Sequence, residues 1–295
     1  MKSQDVRLIL IRLAGCGALL FLPLSGAMAS PIAYASESNG GFGTIDMGTG
    51  VFTLLGNPGL ELCGLGEVGG TLYGMSCGAS SALYQVNPAN GGLTLKGTST
   101  INLQNFGSTL TGLFAVDTAS NSYSINFSGV ANSLGATGFT NFASGALSTG
   151  SSTLFYSAAP GDNTEDLYTI NTSSGAATLV GVSSVGSSAA MTAMVMLGST
   201  LYGITHGDGI DTINTGTGGV TIGPALTGEG TNLITGLAPT ISSSVTPEPG
   251  TWGLAGFGIA VSILLRRLRN PAPNWPLLRP TQHNPRLPDE TLPNA

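Results

Sequence analysis

The segment GMSCG at residues 74–78 has the spacing of a serine-nucleophile motif, with Ser76 at its centre. Such a serine requires a sharp turn between a strand and a helix, together with a histidine and an acid. The residues that follow Ser76 favour another strand, and His206 is the one histidine between residues 30 and 241. We therefore predict that the chain is not an enzyme. The alternative is a glycan- or ester-active hydrolase.

Two groups of acids could bind a cation. Asp162, Glu165 and Asp166 lie in one predicted loop, and Asp208 and Asp211 lie in an equivalent one. Carboxylate oxygens are ligands of Ca²⁺, but neither group has the spacing of an EF-hand. We interpret these side chains as solvated turn acids, and we predict no metal site and no cofactor.

Cys63 and Cys77 flank a predicted hairpin centred on Gly70. Counting outward from Gly70 places the two cysteines opposite each other, and direct cross-strand partners are close enough for a disulfide. Zinc binding would need more ligands than these two, and a pair of free thiols is the other alternative. We predict a structural disulfide, formed in an oxidising compartment.

A repeat of about 42 residues provides the elements that position these side chains. Each unit has an apolar residue followed by Asp or Asn, and a glycine ten or eleven residues after the apolar one. The Asp or Asn positions are offset by 41, 39, 45 and 43 residues along the chain. The five units span residues 42–56, 83–97, 122–135, 167–181 and 210–223.

Each unit is predicted to form a hairpin, because Asn, Asp, Ser, Thr and Gly favour the tight turn between its two apolar runs. Four strands in about 42 residues is the period of a β-propeller blade. We predict an all-β, five-bladed β-propeller-like repeat domain; a β-solenoid or a sandwich is the alternative. Further strand pairs are predicted ahead of three hairpins, over residues 62–77, 137–158 and 191–205.

The two ends of the repeat region predict how the ring closes. The first unit has only the run at 33–38 ahead of its hairpin, and an unpaired run at 232–239 follows the last unit. We expect the last run to become the innermost strand of the first blade, which removes two exposed edges. Repeated leucines and tyrosines are expected to pack between blades: Leu72, Tyr73, Leu83, Tyr84, Leu167, Tyr168, Leu201 and Tyr202.

The charge of the chain excludes one class of partner. Between residues 30 and 265 there are twelve acids and one base, Lys96. A surface with this charge repels phosphate backbones, so we expect no nucleic-acid binding.

The N-terminus has the pattern of a secretory signal peptide. Lys2, Arg7 and Arg12 precede the apolar stretch at 13–26, and small residues place cleavage after Ala29. The alternative is a lipoprotein signal, in which Cys16 of the sequence LAGC would carry the lipid.

The segment VTPEPGTWGLAGFGIAVSILLRRLR, residues 245–269, combines a proline-flanked glutamate, a short apolar run and three arginines. The apolar run at 252–265 is shorter than the ~20 residues that usually cross a bilayer. Arginines after an apolar run remain on the cytoplasmic side, so a cleaved signal ahead of this segment predicts an N-out, single-pass inner-membrane protein. A buried helix of a soluble domain is the alternative.

This segment resembles the PEP-CTERM sorting signal of Gram-negative bacteria. The resemblance implies recognition and cleavage near the motif by an exosortase, a membrane transpeptidase, and release to the cell surface. It also implies an association with exopolysaccharide and biofilm matrix, as a partner or through adhesion. The matching residues are Pro247, Glu248 and Pro249 for the motif and Arg266, Arg267 and Arg269 for the basic cluster.

One feature departs from the sorting-signal pattern. That signal normally ends a protein, whereas a proline-rich stretch continues here, and we predict a disordered cytoplasmic tail. The predicted segments are a signal peptide over 1–29, the repeat domain over 30–240, a linker with the motif over 241–250, a transmembrane segment and basic cluster over 251–269, and the tail over 271–295.

Overall fold

The protein forms five four-stranded antiparallel sheets, the blades of a β-propeller. Each hairpin predicted from the repeat is present and forms the two outer strands of one blade. The all-β, five-bladed prediction is therefore confirmed. The computed structural model describes residues 30–78, 80–139, 142–160, 165–182, 190–205 and 209–241.

The blades follow one another along the chain, except that the last strand joins the first blade. Blade 1 contains β20 (Ile234–Pro239), β1 (Ile32–Glu37), β2 (Phe42–Asp46) and β3 (Phe52–Gly56). Blade 2 contains β4 (Leu62–Val68), β5 (Thr71–Ser76), β6 (Ser81–Val86) and β7 (Leu93–Ser99). Blade 3 contains β8 (Leu103–Ser108), β9 (Leu113–Asp117), β10 (Asn121–Ile125) and β11 (Ala131–Ala136). Blade 4 contains β12 (Phe142–Leu147), β13 (Leu154–Pro160), β14 (Asp166–Ile170) and β15 (Ala177–Val182). Blade 5 contains β16 (Met191–Leu197), β17 (Thr200–Thr205), β18 (Gly209–Ile213) and β19 (Val220–Ala225).

The ring is closed by the last strand, as the unpaired run at 232–239 predicted. Strand β20 pairs antiparallel with β1, from Ala33 opposite Pro239 to Glu37 opposite Ile234. The innermost strands β20, β4, β8, β12 and β16 each contact the next one around the axis, and β16 contacts β20 again. The closing strand therefore pairs with the edge of β1, which would otherwise be exposed.

The hydrophobic core is divided into five layers, one between each pair of neighbouring blades. Between blades 2 and 3, for example, Met75 and Leu83 pack against Phe106 and Leu113. The repeated leucines and tyrosines lie in these layers as predicted, with Tyr84 and Tyr202 only partly buried. A blade therefore has no complete core of its own and depends on both neighbours.

The Asp or Asn of each repeat forms the turn between the two outer strands. Asn171 Oδ1 accepts hydrogen bonds from the amides of Ser173 and Ser174, at 2.9 and 3.0 Å. The corresponding side-chain oxygens of the other blades accept the same kind of amide hydrogen bond: Asp46, Asn87, Asn126 and Asn214.

The glycine that ends each of the first four repeats allows neighbouring blades to approach closely. A Cβ atom at Gly56 of blade 1 would collide with the backbone oxygen of Asn90 in the outer turn of blade 2. The turn itself places Gly91 at φ +74°, a conformation that favours glycine. The same contact recurs between Gly97 and Ser128, Gly135 and Ser174, and Gly181 and Thr217.

Cys63 and Cys77 form a disulfide, with their Cα atoms 5.4 Å apart. The pairing was predicted, but the register from which it was predicted is wrong. Gly69 and Gly70 form a two-residue turn that places Val68 opposite Thr71, and a bulge then shifts the pairing before Leu62 meets Ser76. The cysteines are therefore not direct cross-strand partners.

Candidate functional site

Most acids of the propeller lie at one end of the ring. The four strands of a blade alternate in direction. The loop between the two middle strands and the connection to the next blade therefore lie at the same end of the ring, where each innermost strand begins. We call this end the upper face. Asp46 and Glu67 lie toward the opposite, lower face. The described acids of the upper face are Glu37, Glu61, Asp117, Glu165, Asp166 and Glu229.

Glu165 is a buried bridge between two blades. Only 4% of its surface is exposed, and its Oε2 accepts a hydrogen bond from the amide of Met191, the first residue of β16. Burial raises the pKa of Glu165 to about 7, although the Met191 amide and the Ser157 hydroxyl oppose the shift by hydrogen bonding. The interpretation of Glu165 as a solvated turn acid is therefore wrong, because the neighbouring blade covers it.

Asp166 and Asp211 are also buried rather than solvated. The Tyr168 hydroxyl donates a hydrogen bond to Asp166 over 3.3 Å, and burial raises the pKa of Asp211. Asp162 and Asp208 lie outside the described residues. Within the described ranges, no three His, Cys, Asp or Glu side chains are grouped as a metal would require.

Tyr156 occupies a position at which every other blade has alanine or glycine. It pairs with Tyr168, whereas the equivalent residues of the other blades are Ala35, Gly74, Ala115 and Gly203. Tyr156 is fully buried, and its hydroxyl lies 3.4 Å from Asn105 Nδ2 of blade 3. Burial raises the pKa of Tyr156 well above its usual value, and the nearby charge of Glu165 raises it further. An alignment of the strands that precede each repeat hairpin, in the observed pairing register, would have revealed the large side chain of Tyr156.

The axis beside these residues is nearly filled. Cys63, Asn105, Thr192 and Thr235 are among the residues that line a cavity of about 10 Å³ between the five innermost strands. A volume of this size holds about one water molecule. The cavity is therefore too small for a sugar ring.

Two other polar side chains at the upper face have structural partners. Burial disfavours ionisation of Asp117, but hydrogen bonds from Asn121 and Tyr123 outweigh it and lower the pKa of Asp117. Ser76 ends β5 and its hydroxyl accepts a hydrogen bond from the Ala82 amide at 3.1 Å. The chain continues from Ser76 into β6, so the strand–turn–helix geometry of a nucleophilic serine does not form there.

A polar groove of about 350 Å³ lies on blade 5, toward the lower face. Ligand pockets have volumes of about 300–1,000 Å³, so this groove is at the lower end of that range. Its walls carry hydroxyl and amide groups and no charged side chain. The lining residues are Ser199, Thr200, Thr212, Ile213, Asn214, Thr215, Gly219 and Thr221.

The sequence-predicted sorting residues Pro247, Glu248, Pro249, Arg266, Arg267 and Arg269 lie outside the described residues, as does the signal peptide. None of the described segments is a helix long and apolar enough to cross a bilayer. The export and sorting of the chain therefore stay predictions.

No family model and no curated protein matches the chain. A Bacteroides thetaiotaomicron structural genomics protein of unknown function is similar in structure, with 11% identity, a TM-score of 0.45 and coverage of 64% of this chain and 56% of that one. BamB from Moraxella catarrhalis matches with 10% identity, a TM-score of 0.33 and coverage of 67% and 59%. The computationally designed Ika8 protein matches with 12% identity, a TM-score of 0.36 and coverage of 66% and 58%. The chain spans less than two thirds of each of these proteins, and the assignment of the fold depends on the five sheets themselves.

Proposed function

We propose that the protein is an exported surface protein whose propeller binds neutral polysaccharide of an extracellular matrix without catalysis. The observation that carries this proposal is the uncharged groove on blade 5. Sugar hydroxyls both donate and accept hydrogen bonds, and so do the hydroxyls of Thr200, Thr212 and Thr221. The axial cavity, by contrast, has room for about one water molecule.

The binding experiment uses the full chain in detergent, mixed with neutral exopolysaccharide and followed by calorimetry. Thr221→Arg places a long charged side chain in the groove and should lower the affinity at least tenfold. Thr178→Arg is the matched control, because Thr178 has the equivalent exposed position on blade 4. Equal affinity of both variants and the wild type would contradict a site on blade 5.

Export is supported by the signal pattern at 1–29, and the Cys63–Cys77 disulfide suits an oxidising compartment. Residues 245–269 then hold the protein in the inner membrane until an exosortase cleaves near Glu248. An epitope tag after Ala295 tests this step in a strain that contains an exosortase. Cleavage separates tag and propeller, whereas a single uncleaved polypeptide would indicate a permanent single-pass anchor.

The alternative function is a glycan- or ester-active hydrolase. Its general acid would be a carboxyl such as Glu165, whose pKa burial raises to about 7, and the substrate would have to displace the neighbouring blade that covers Glu165. Turnover of a panel of polysaccharides and esters, lost in Glu165→Gln, would establish this alternative. The proposed binding function predicts no turnover by either protein.

A further inference from the structure

The closing strand of the ring is attached to blade 1 beside two buried carboxylates. Glu37 ends β1, and Glu229 lies in the connection that precedes β20. The two segments are joined by hydrogen bonds from the Ser38 amide to the Leu233 oxygen at 2.9 Å and from the Leu233 amide to Ser38 Oγ at 3.2 Å. Both carboxylates therefore lie where the ends of the propeller meet.

Both side chains are withdrawn from water. Glu37 is 3% exposed and Glu229 is 8% exposed. Glu229 Oε2 is buried and has no hydrogen-bond partner within the described part of the chain. Asn232 connects the pair, since its side chain hydrogen-bonds to Glu37 and its Nδ2 donates to the Glu229 backbone oxygen over 2.9 Å.

The propeller provides almost no positive charge to compensate these acids. Lys96 is the one lysine or arginine between residues 30 and 241, and it lies on β7, the outermost strand of blade 2. Burial raises the pKa of Glu37, and the charge of Glu229 raises it further. A buried carboxylate with an unused oxygen is unfavourable unless a proton or a cation neutralises it.

We propose that a Ca²⁺ ion binds between the carboxylates of Glu37 and Glu229 and fastens the closing strand β20 to β1. Hard divalent cations prefer oxygen ligands, and the carboxylates of Glu37 and Glu229 supply them. The ion neutralises the repulsion between the two acids and provides a partner for Glu229 Oε2. This inference does not depend on the polysaccharide proposal.

Calcium titration of the chelator-treated full chain tests the site by calorimetry. The wild type should bind Ca²⁺, and Glu37→Gln and Glu229→Gln should each weaken that binding at least tenfold. Glu61→Gln is the matched control, because Glu61 is an exposed acid of the same face, and its binding should equal that of the wild type. Absence of binding, or binding unchanged in both Glu37→Gln and Glu229→Gln, would overturn the proposal.

Thermal unfolding provides a second measurement that also shows whether the variants fold. A hundredfold excess of Ca²⁺ over Kd should raise the Tm of the wild type by about 5–10 °C. In chelator, Glu229→Gln should melt no lower than the wild type, because the substitution removes the repulsion, but calcium should no longer raise its Tm. An equal calcium response in the variant and the wild type would contradict the site.

Discussion

The asparagine or aspartate of each repeat stabilises the propeller through hydrogen bonds to its own turn. In Asn171→Ala, the amides of Ser173 and Ser174 lose their acceptor. We expect the free energy of unfolding to fall by about 1–2 kcal/mol in urea titrations. Asn171→Asp should retain most of the stability, because Asp46 forms the same turn in blade 1. An equal loss in both variants would show that the side-chain acceptor is not the cause.

Glu165 should make the propeller less stable as the pH rises. Its pKa is about 7 in the folded state and near 4.5 when solvated, so the folded state favours the protonated form. The contribution of protonated Glu165 to the free energy of unfolding is fully present below about pH 4.5. It is lost as the pH rises through 7, which lowers the free energy of unfolding by up to about 3 kcal/mol.

The comparison with Glu165→Gln isolates this contribution, since the variant cannot ionise. Unfolding in urea at pH 5 and pH 8 should show a smaller pH dependence for Glu165→Gln than for the wild type. The same dependence in both proteins would mean that Glu165 does not titrate in this range.

The burial of Glu165 could not be predicted from its own segment. The residues that cover it belong to the next blade, and its hydrogen-bond donor Met191 lies 26 residues further along the chain. Tyr156 illustrates the same difficulty, because Asn105 is 51 residues away. Local sequence indicated a loop at Glu165 and a strand at Tyr156, whereas packing between blades determines what covers each side chain.

At the scale of elements, the hairpins were predictable because each turn is specified within a few residues. Asn171 and Gly175, for example, form the turn by contacts inside the segment 171–176. The register of β4 and β5 was not predictable by counting outward from Gly70, because the turn contains two residues and a bulge lies between Leu62 and Leu65. Elements were therefore easier to predict than the exact partners of their residues.

The disulfide ties the beginning of β4 to the residue that follows β5, and it should stabilise the domain without being required for its fold. The bond closes a loop with a sequence separation of 14 residues, which corresponds to about 3 kcal/mol. Cys63→Ser with Cys77→Ser should lower the stability by that amount and retain cooperative unfolding. Digestion without reductant should yield a linked peptide from the exported wild type; two freely alkylated cysteines would contradict the bond.

At the scale of the molecule, ring closure makes β20 essential to cooperative folding. A chain that ends after Ile241 retains β20. A chain that ends after Gly230 lacks β20, so the edge of β1 is exposed and the layer between blades 1 and 5 loses Ile234 and Leu237. We expect the longer chain to be monomeric with one unfolding transition. The shorter chain should aggregate or unfold broadly in size-exclusion and thermal experiments. Equal behaviour of both chains would show that closure is dispensable.

The groove on blade 5 is tested most directly by hydrogen–deuterium exchange of the full chain with and without neutral exopolysaccharide. The proposed function predicts slower exchange in the segments that line the groove, 199–200 and 212–221, and unchanged exchange in the equivalent segment of blade 4, 169–178. Protection confined to the upper face, or no protection at saturating polysaccharide, would contradict it.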